Sequence, residues 1–563
     1  MRSAAKSRSQ RIHVDLPEEI RQGLCDRATA QNTTVEILIE RVLADAVGGE
    51  NGRPAFSRGT RPAHFRLPSA YAEEVHEALP GYEDIGRVGR RARGDGSSSA
   101  RADLRRRYAE KLIVNPALSR ALVSFQSNKT TPFYRWFKYK EAFSHEFVRY
   151  VLGLLEVPSH EVPRVLDPFA GAGTTLTTAT KEGWHATGIE LLPVGTAAMQ
   201  ARLLADSVSL GAFDEELARL ESQPLRASAS AGYRFPHLRI TAQAFPPATE
   251  KAIGVYQEFL REMVDQRVRY LFWFASLAVL EEVSYTRKDG QYLRWDARSG
   301  RNLRSSFDKG PVSEFGPALL RRLHLMRQDL VQRNGGTFSH SVQIIEGSCL
   351  DELPGLADET FDLVLTSPPY CNRYDYTRTY ALELAFLNYG ERALASLRQL
   401  LLSATVENKT KRLILEAAYA RRGQAERYQR AEAAFRRQEA LAEVLALLYA
   451  ARERGELNNS HIPTMVENYF FEMNLVIHEL GRILVPGGLV VMVNDNVQYH
   501  GEEVPVDLIL SDFAEAAGLH VREIWVLSRG KGNSSQQMGV HGRNELRKCV
   551  YVWEKPESAA TPQ

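Results

Sequence analysis

The stretch VLDPFAGAGTT, residues 165–175, places a short apolar run directly before a glycine-rich turn. Gly171 and Gly173 permit backbone angles that a Cβ would oppose, so the chain can pass close to a ligand there. A helix that begins after the turn would offer free N–H groups to an anion. Glu190 ends the next apolar run, where a carboxylate in such folds accepts hydrogen bonds from ribose hydroxyls. The stretch therefore predicts a strand, a turn and a helix that bind a nucleotide-type ligand, with a tight turn that binds nothing as the alternative.

The residues around the glycines narrow the kind of ligand. No Lys-Ser or Lys-Thr pair follows them, although a loop that cradles the phosphates of a nucleoside triphosphate would require one. A nucleoside with an amino-acid tail fits better. Asp167 could pair with the ammonium group of that tail, and the hydroxyls of Thr174 and Thr175 could take its carboxylate.

Seven compact apolar runs alternate with helical stretches along the chain. This alternation predicts an α/β fold with a mostly parallel sheet, whose ligands lie at the carboxyl ends of the strands. The last two runs are close enough in sequence to form an antiparallel hairpin at a sheet edge. The runs are RVLDPF near 164, HATGIE near 185, QIIEGS near 343, FDLVLTSPPY near 361, GLVVMVND near 488, REIWVLS near 522 and CVYVWEK near 549.

The segment TSPPY, Thr366 to Tyr370, ends the fourth run. Two consecutive prolines stiffen the chain, so the carbonyl oxygen of Pro368 and the side chain of Ser367 can converge as acceptors on one amino group. Such acceptors would orient an amine toward a methyl donor, and the ring of Tyr370 could stack on an unstacked base. A simple strand-terminating turn is the alternative. The first and fourth strands are expected side by side, so the two motifs should meet.

DPFAGAGTT followed later by TSPPY resembles the DNA amino-methyltransferases, which modify cytosine at N4 or adenine at N6. The resemblance covers most of residues 125–555. It implies a Rossmann-like methyltransferase sheet, S-adenosyl-L-methionine as cofactor, double-stranded DNA as partner and no metal. It implies catalysis by Ser367, Pro368, Pro369 and Tyr370. It also implies cofactor contacts by Asp167, Pro168, Phe169, Ala170, Gly171, Gly173, Thr174, Thr175, Glu190, Ser348 and Thr366.

Two details of the resemblance concern the ends of the cofactor. The family often has an acidic residue near the adenine ring where this chain has Ser348, with Asp351 as a candidate substitute. The segment from Asn128 to Ser144 looks like the region that closes over the methionine end in the family.

The target base follows from the family pattern rather than from a physical argument. Within the family, Ser before Pro-Pro-Tyr is associated mainly with cytosine N4, which is favoured here, and Asp or Asn mainly with adenine N6, which stays open. Methylation at cytosine C5 is disfavoured, because it needs a Cys nucleophile and the family's Pro-Cys pair is absent. An RNA base-amine methyltransferase and a non-catalytic DNA-binding regulator remain as alternatives.

The amino-terminal part, residues 1–48, has a pattern of its own. Residues 11–16 alternate polar and apolar side chains, and two helices are predicted after them. The unit resembles a ribbon-helix-helix module, in which two chains pair their strands and insert the ribbon into the DNA major groove. The resemblance implies a homodimer with Arg11 and His13 facing the bases. A helical appendage that serves only oligomerisation or solubility is the alternative.

The rest of the chain divides by composition. Residues 49–110 are rich in Gly, Ser, Pro and Arg, which predicts a basic flexible linker that could contact phosphates. Residues 111–563 form the catalytic domain, with a candidate target-recognition insertion at about 196–340 and a helical insertion at about 386–470. Further DNA contacts are predicted in two loops. They are Arg373 and Tyr374 after TSPPY, and Arg529, Lys531 and Arg543, together with Arg547 and Lys548, between the last two strands.

The composition is that of a soluble globular protein, with 44% hydrophobic and 25% charged residues and a net charge of +2 over 563 residues. Neither a signal peptide nor an apolar stretch of about 18 residues is found. The four cysteines are far apart and form no C-x-x-C pair, so neither a disulfide framework nor a zinc cluster is indicated. A cytoplasmic protein is expected, and a restriction or defence-system partner is left open.

Overall fold

The computed structural model describes residues 99–154, 162–223, 233–289, 292–301, 307–333, 342–528, 531–532 and 545–557. The predicted ribbon-helix-helix module with Arg11 and His13 lies outside these residues, as do Arg529 and Arg543. Lys531 lies on a two-residue strand.

The described strands form one large sheet and three two-stranded ribbons. In chain order they are β1 (Leu112–Val114), β2 (Arg164–Asp167), β3 (His185–Glu190), β4 (Thr286–Asp289), β5 (Tyr292–Trp295), β6 (Val342–Glu346), β7 (Phe361–Thr366), β8 (Leu484–Asp495), β9 (Val497–Tyr499), β10 (Glu502–Val504), β11 (His520–Val526), β12 (Lys531–Gly532), β13 (Glu545–Leu546) and β14 (Lys548–Glu554).

The central sheet has the strand order β1-β11-β14-β8-β7-β2-β3-β6. All seven predicted strands are present in it, and each pairing is parallel except those of β14, which runs antiparallel to β8 and β11. The prediction of seven strands is wrong by one, because β1 pairs with β11 and occupies the edge. A three-residue run, Leu112–Val114, is too short to show an alternating pattern in the sequence. The predicted hairpin therefore lies one strand in from the edge.

Many of the helices lie between β3 and β6 and between β7 and β8 in the chain, where the two insertions were predicted. β7 is buried at all six positions, as expected for a strand covered on both faces. No described helix is long and apolar enough to span a membrane. The helices of at least four residues are α1 (Ala100–Arg107), α2 (His145–Leu154), α3 (Thr174–Lys181), α4 (Pro193–Leu204), α5 (Leu210–Ser222), α6 (Pro247–Glu262), α7 (Gln266–Val279), α8 (Phe315–Val331), α9 (Cys349–Glu352), α10 (Tyr376–Thr379), α11 (Ala381–Phe386), α12 (Glu391–Leu400), α13 (Arg412–Arg421), α14 (Ala425–Arg437), α15 (Glu439–Glu453), α16 (Ile462–Ile483) and α17 (Val506–Ala516).

Helix α1 corrects the predicted linker, which was placed at residues 49–110. Leu104 of this helix is buried against the catalytic domain. Its arginines form ion pairs with carboxylates there: Arg101 with Glu443, Arg105 with Glu503 and Arg107 with Asp512. The arginine run looked like a solvated or phosphate-binding segment, because the sequence does not show where the matching carboxylates lie.

Candidate functional site

The two sequence motifs meet at the carboxyl edge of the sheet. β2 and β7 are parallel neighbours, with Leu166 opposite Val364. Where these strands end, the hydroxyl of Thr366 donates a hydrogen bond of 2.7 Å to the carboxylate of Asp167. The glycine-rich turn and the double-proline segment are thus joined by a direct side-chain contact.

Asp167 is the most constrained acidic group of the site, with 2% of its surface exposed. The hydroxyl of Thr175 donates to it at 2.7 Å and the backbone N–H of Phe169 at 3.1 Å, in addition to Thr366. Burial raises the pKa of Asp167 to about 6, although these donors favour its charged form. The Thr175 hydroxyl therefore serves Asp167, whereas the sequence suggested that it would take a ligand carboxylate.

Both glycines of the turn have positive φ angles, 53° at Gly171 and 74° at Gly173. A Cβ on Gly171 would approach the ring of Tyr139 to 3.0 Å, and one on Gly173 would approach Met199 to 2.4 Å. Glycine is therefore required by conformation and by space at both positions. Gly173 precedes the first residue of α3, so the helix begins directly at the turn.

Arg202 of α4 ties this turn to the preceding segment. Its buried guanidinium donates to the carbonyl oxygens of Ala172, Phe133 and Tyr134. Burial lowers the pKa of Arg202 to about 10. These bonds hold Phe133 and Tyr134 of the 128–144 region against the turn.

A cavity lies over the carboxyl edge of the sheet. Eight of the predicted cofactor residues line it: Asp167, Pro168, Phe169, Ala170, Gly171, Thr174, Glu190 and Ser348. Ser367 and Pro369 line it too, whereas Gly173, Thr175, Thr366, Pro368 and Tyr370 lie behind or beside its wall. The hydroxyl of Thr174 is buried and has no hydrogen-bond partner among the described residues.

Glu190, at the end of β3, bends back over the turn. Its carboxylate accepts hydrogen bonds from the backbone N–H groups of Gly171 at 2.5 Å and Leu192 at 2.6 Å. Burial raises the pKa of Glu190 to about 7. The site thus holds one buried and one partly buried carboxylate, Asp167 and Glu190, whose charged forms are costly without a ligand.

The far end of the cavity is apolar and differs from what the family pattern suggested. Ser348 lines the cavity and donates to the carbonyl oxygen of Leu400, while Asp351 is not among the lining residues. Leu400, Leu401 and Leu402 complete the wall from the end of α12. Sequence reasoning missed these leucines, whose only signal was an apolar run that continues beyond a helix otherwise rich in polar residues.

A polar chain supports the double-proline segment. Ser367 donates to the hydroxyl of Tyr370 at 3.2 Å. Lys548 lies 5.5 Å from the centre of the Tyr370 ring and pairs with Asp495 at 3.4 Å. Burial alone would lower the pKa of Lys548, but Asp495 and Tyr370 raise it above its ordinary value.

Two of the cations predicted to read DNA are buried instead. Lys548 belongs to the polar chain just described. Arg547 donates to both carboxylate oxygens of Asp507, at 2.7 and 3.1 Å, and is 6% exposed. The interpretation of Arg547 and Lys548 as base-reading side chains is therefore wrong, because strand β14 and its start are packed into the core.

The loop after TSPPY turns partly inward as well. Tyr374 donates its hydroxyl to Glu141, and Tyr380 donates to the second oxygen of the same carboxylate. Arg373 has a positive φ of 67° and donates to Asn458 at 3.3 Å. Further lining residues that sequence reasoning did not name as cofactor contacts are Tyr139, Glu141, Ala142, Phe143, Ile189, Leu191, Leu192, Gly347, Cys349 and Tyr376.

Comparison with known proteins agrees with this geometry. No family model matches the chain. It is 45% identical over 464 residues to the type II methyltransferase M.AvaI of Nostoc sp., a match that covers 80% of this chain and 92% of the relative. It is 37% identical over 474 residues to the type II methyltransferase M.BsoBI of Geobacillus stearothermophilus, covering 81% and 92%. The chain therefore belongs to the type II family of DNA methyltransferases.

Proposed function

We propose that the chain transfers a methyl group from S-adenosyl-L-methionine to the exocyclic amino group of a flipped base in double-stranded DNA, with cytosine N4 as the favoured target. The observation that carries the proposal is the hydrogen bond between Thr366 and Asp167, which joins the two motifs. A cofactor bound on the glycine turn and a base held by the TSPP segment would then share one cavity.

The residues of the cavity fit S-adenosyl-L-methionine. The carboxylate of Asp167 forms no ion pair within the described part of the chain, so an ammonium group beside it would relieve the cost of its burial. The unpartnered hydroxyl of Thr174 could donate to a carboxylate. Glu190 could accept from ribose hydroxyls, and the apolar wall of Leu400–Leu402 suits an adenine ring. When bound, the cofactor supplies a methyl group activated by a positive sulfur.

The residues of the base site act by holding and orienting. Because Ser367 donates its own proton to Tyr370, its oxygen keeps lone pairs that can accept an N–H of the target amine. The carbonyl oxygen of Pro368 would accept the second N–H. Two such bonds would point the nitrogen lone pair away from the acceptors and toward the cofactor side of the cavity, which favours an in-line transfer. Tyr370 would support this arrangement from behind and offer its ring to the base.

The favoured base rests on Ser367, since the family associates Ser at this position mainly with cytosine N4. Adenine N6 is the alternative, because both bases present an amine to the same acceptors. A homodimer through residues 1–48, target recognition by residues 196–340 and a partner nuclease complete the proposal. The RNA methyltransferase and the non-catalytic regulator are kept as outcomes of the test below.

Methyl transfer to nucleic acid tests the function directly. The purified chain is incubated with labelled S-adenosyl-L-methionine and either duplex DNA or RNA, and the product is digested to nucleosides for mass analysis. N4-methylcytosine from DNA is expected. N6-methyladenine would move the target to adenine, transfer to RNA alone would favour the RNA enzyme, and cofactor binding without any transfer would favour the regulator.

Variants of the double-proline segment test the assigned roles. Tyr370→Ala or Pro368→Ala should lower methyl transfer by at least about 10²-fold, the cost of misplacing a reacting group by about 1 Å. Cofactor affinity should be largely kept, because neither residue lines the cofactor end of the cavity. Tyr370→Phe is the matched control that retains the ring and removes only the hydroxyl. Equal loss of transfer and cofactor affinity in the Ala variants would refute the assignment.

A further inference from the structure

The ribbon of β4 and β5 has a buried face and an exposed face. Lys288 and Leu293 lie opposite each other on the buried face, with 2% and 4% of their surfaces exposed. Arg287 and Arg294 lie opposite each other on the exposed face. Like charges directly opposite on antiparallel strands destabilise the pairing, so an anion bound between them would stabilise it.

The two arginines are placed differently. Arg294 stacks on the ring of Phe307, with 4.2 Å between the guanidinium carbon and the ring centre. Arg287 is exposed and makes no ion pair within the part of the chain that the structure describes. Among the described residues no carboxylate pairs with Arg287, so this arginine contributes an exposed positive charge to the outer face of the ribbon.

The buried face fixes the ribbon in place. The ammonium group of Lys288 pairs with Glu383 of α11 in a fully enclosed ion pair and lies 4.4 Å from the centre of the Tyr380 ring. Lys140 donates to the backbone carbonyl oxygen of Lys288. Breaking one partner of a buried ion pair is costly, so this anchor holds the register of the two strands.

These anchors also connect the ribbon to the cavity. Lys140 directly precedes Glu141, which lines the cavity and accepts a hydrogen bond from the hydroxyl of Tyr380. β5 packs against α10, whose first residue, Tyr376, lines the cavity as well. The exposed arginines are therefore carried by an element that is held rigidly against the wall of the site.

We infer that the outer face of the β4–β5 ribbon, through Arg287 and Arg294, contacts phosphates of the DNA duplex beside the target base. A two-stranded ribbon fits the major groove of B-DNA, and a guanidinium binds phosphate oxygens with directed hydrogen bonds. The inference rests on the proposed function and narrows the recognition insertion to one element. An acidic protein partner would be a different occupant of this face, and the test separates the two.

The test measures duplex binding by fluorescence anisotropy as a function of salt, with the full chain. Each phosphate contact contributes about 0.9 to the slope of log affinity against log salt, so the double variant Arg287→Ala, Arg294→Ala should lose about 1.8 from that slope. The same relation predicts roughly 60-fold weaker binding at 0.1 M salt, relative to a common limit at 1 M. Cofactor affinity should be unchanged, which shows that the variant is folded.

Two matched variants sharpen the result. Arg149→Ala removes an exposed arginine that pairs with Glu182. Glu182 lies between α3 and β3, at the amino ends of the parallel strands, whereas the cavity lies at their carboxyl ends. The slope of log affinity against log salt should therefore be the same for this variant as for the wild type. The double variant Arg287→Lys, Arg294→Lys should keep most of the slope of log affinity against log salt, because the two positive charges remain. Wild-type affinity and slope in the double alanine variant, or lysine variants as weak as the alanine ones, would overturn the phosphate contact.

The outcome can be separated from a failure of the proposed function. If the wild-type chain transfers no methyl group to any duplex, the proposed function fails. If the wild type methylates DNA while the double alanine variant binds and methylates DNA equally well, only the proposed phosphate contact of the ribbon fails. An acidic protein would then be the better candidate for the partner that binds this face.

Discussion

Replacing Thr366 by valine tests whether the bond between the two motifs controls the charge of Asp167. The substitution keeps the shape of the side chain and removes a hydroxyl that donates to a buried carboxylate at 2.7 Å. A hydrogen bond to a charged group contributes about 1.5–3 kcal/mol, equivalent to a pKa change of about 1–2 units at 1.36 kcal/mol per unit. The lost donor favoured the charged form, so the pKa of Asp167 should rise from about 6 toward 7 or above.

The consequence for cofactor binding depends on pH. If the carboxylate of Asp167 holds the ammonium group, affinity follows the fraction of Asp167 that is ionised. With a rise of about 1–1.5 units, the variant should bind about 5–16-fold more weakly than the wild type at pH 6 and about two- to fourfold more weakly at pH 7. Above pH 8 the ratio of the two dissociation constants should approach one, because Asp167 is then ionised in both proteins. Titration of the ligand itself affects both proteins equally and does not change the ratio.

Isothermal titration with S-adenosyl-L-methionine between pH 5.5 and 8.5 provides the ratio of dissociation constants. Thr180→Val is the matched control, because Thr180 is a buried threonine of α3 whose hydroxyl has no hydrogen-bond partner in the described part of the chain. Its affinity should follow the wild type at every pH. A ratio for Thr366→Val that stays near one at pH 6, or that does not change with pH, would refute the role given to Asp167.

Two further predictions concern buried charged groups of the site. Burial raises the pKa of Glu190 from 4.5 to about 7, so its contribution to stability is complete below about pH 4.5 and is lost as the pH rises through 7. The difference between the thermal midpoints of ligand-free Glu190→Gln and the wild type (variant minus wild type) should therefore increase between pH 4.5 and 7, and a difference that stays constant or decreases over this range would contradict the assignment. Lys548→Met removes the cation beside the Tyr370 ring together with its ion pair to Asp495, so methyl transfer should fall by about 10²-fold while cofactor affinity is kept. Equal losses of transfer and affinity would show that Lys548 acts on the fold rather than on the base site.

The sequence was most informative where the signal is local. Most of the seven apolar runs end in polar or glycine-rich turns, and each run is a strand of the central sheet. The neighbourhood of β2 and β7 followed from the rule that ligands bind where the strand order reverses. The turn around Gly171 and Gly173 could also be predicted from the sequence, because positive φ angles favour glycine whatever residues surround them.

The sequence was least informative where a residue's partner lies far away in the chain. A basic residue looks the same whether it faces a phosphate or a buried carboxylate, and Arg547 proved to pair with Asp507. The wall formed by Leu400–Leu402 comes from an insertion with no motif of its own. β1 has only three residues, which are too few to show the alternating pattern by which a strand is predicted from sequence.

The hydrogen bonds of Asp167 link the glycine-rich motif to the TSPPY motif. Its carboxylate is buried deeply enough to resist ionisation, and its charged form is supported by hydroxyls from both segments: Thr175 from the glycine turn and Thr366 from the TSPPY motif. A cation bound beside Asp167 would favour the ionised carboxylate and thereby strengthen its bond to Thr366. Because Thr366 is followed immediately by Ser367, strengthening that bond would also fix the acceptor for the target amine. Cofactor binding and ordering of the base site would then be coupled, and such coupling acts equally in both directions.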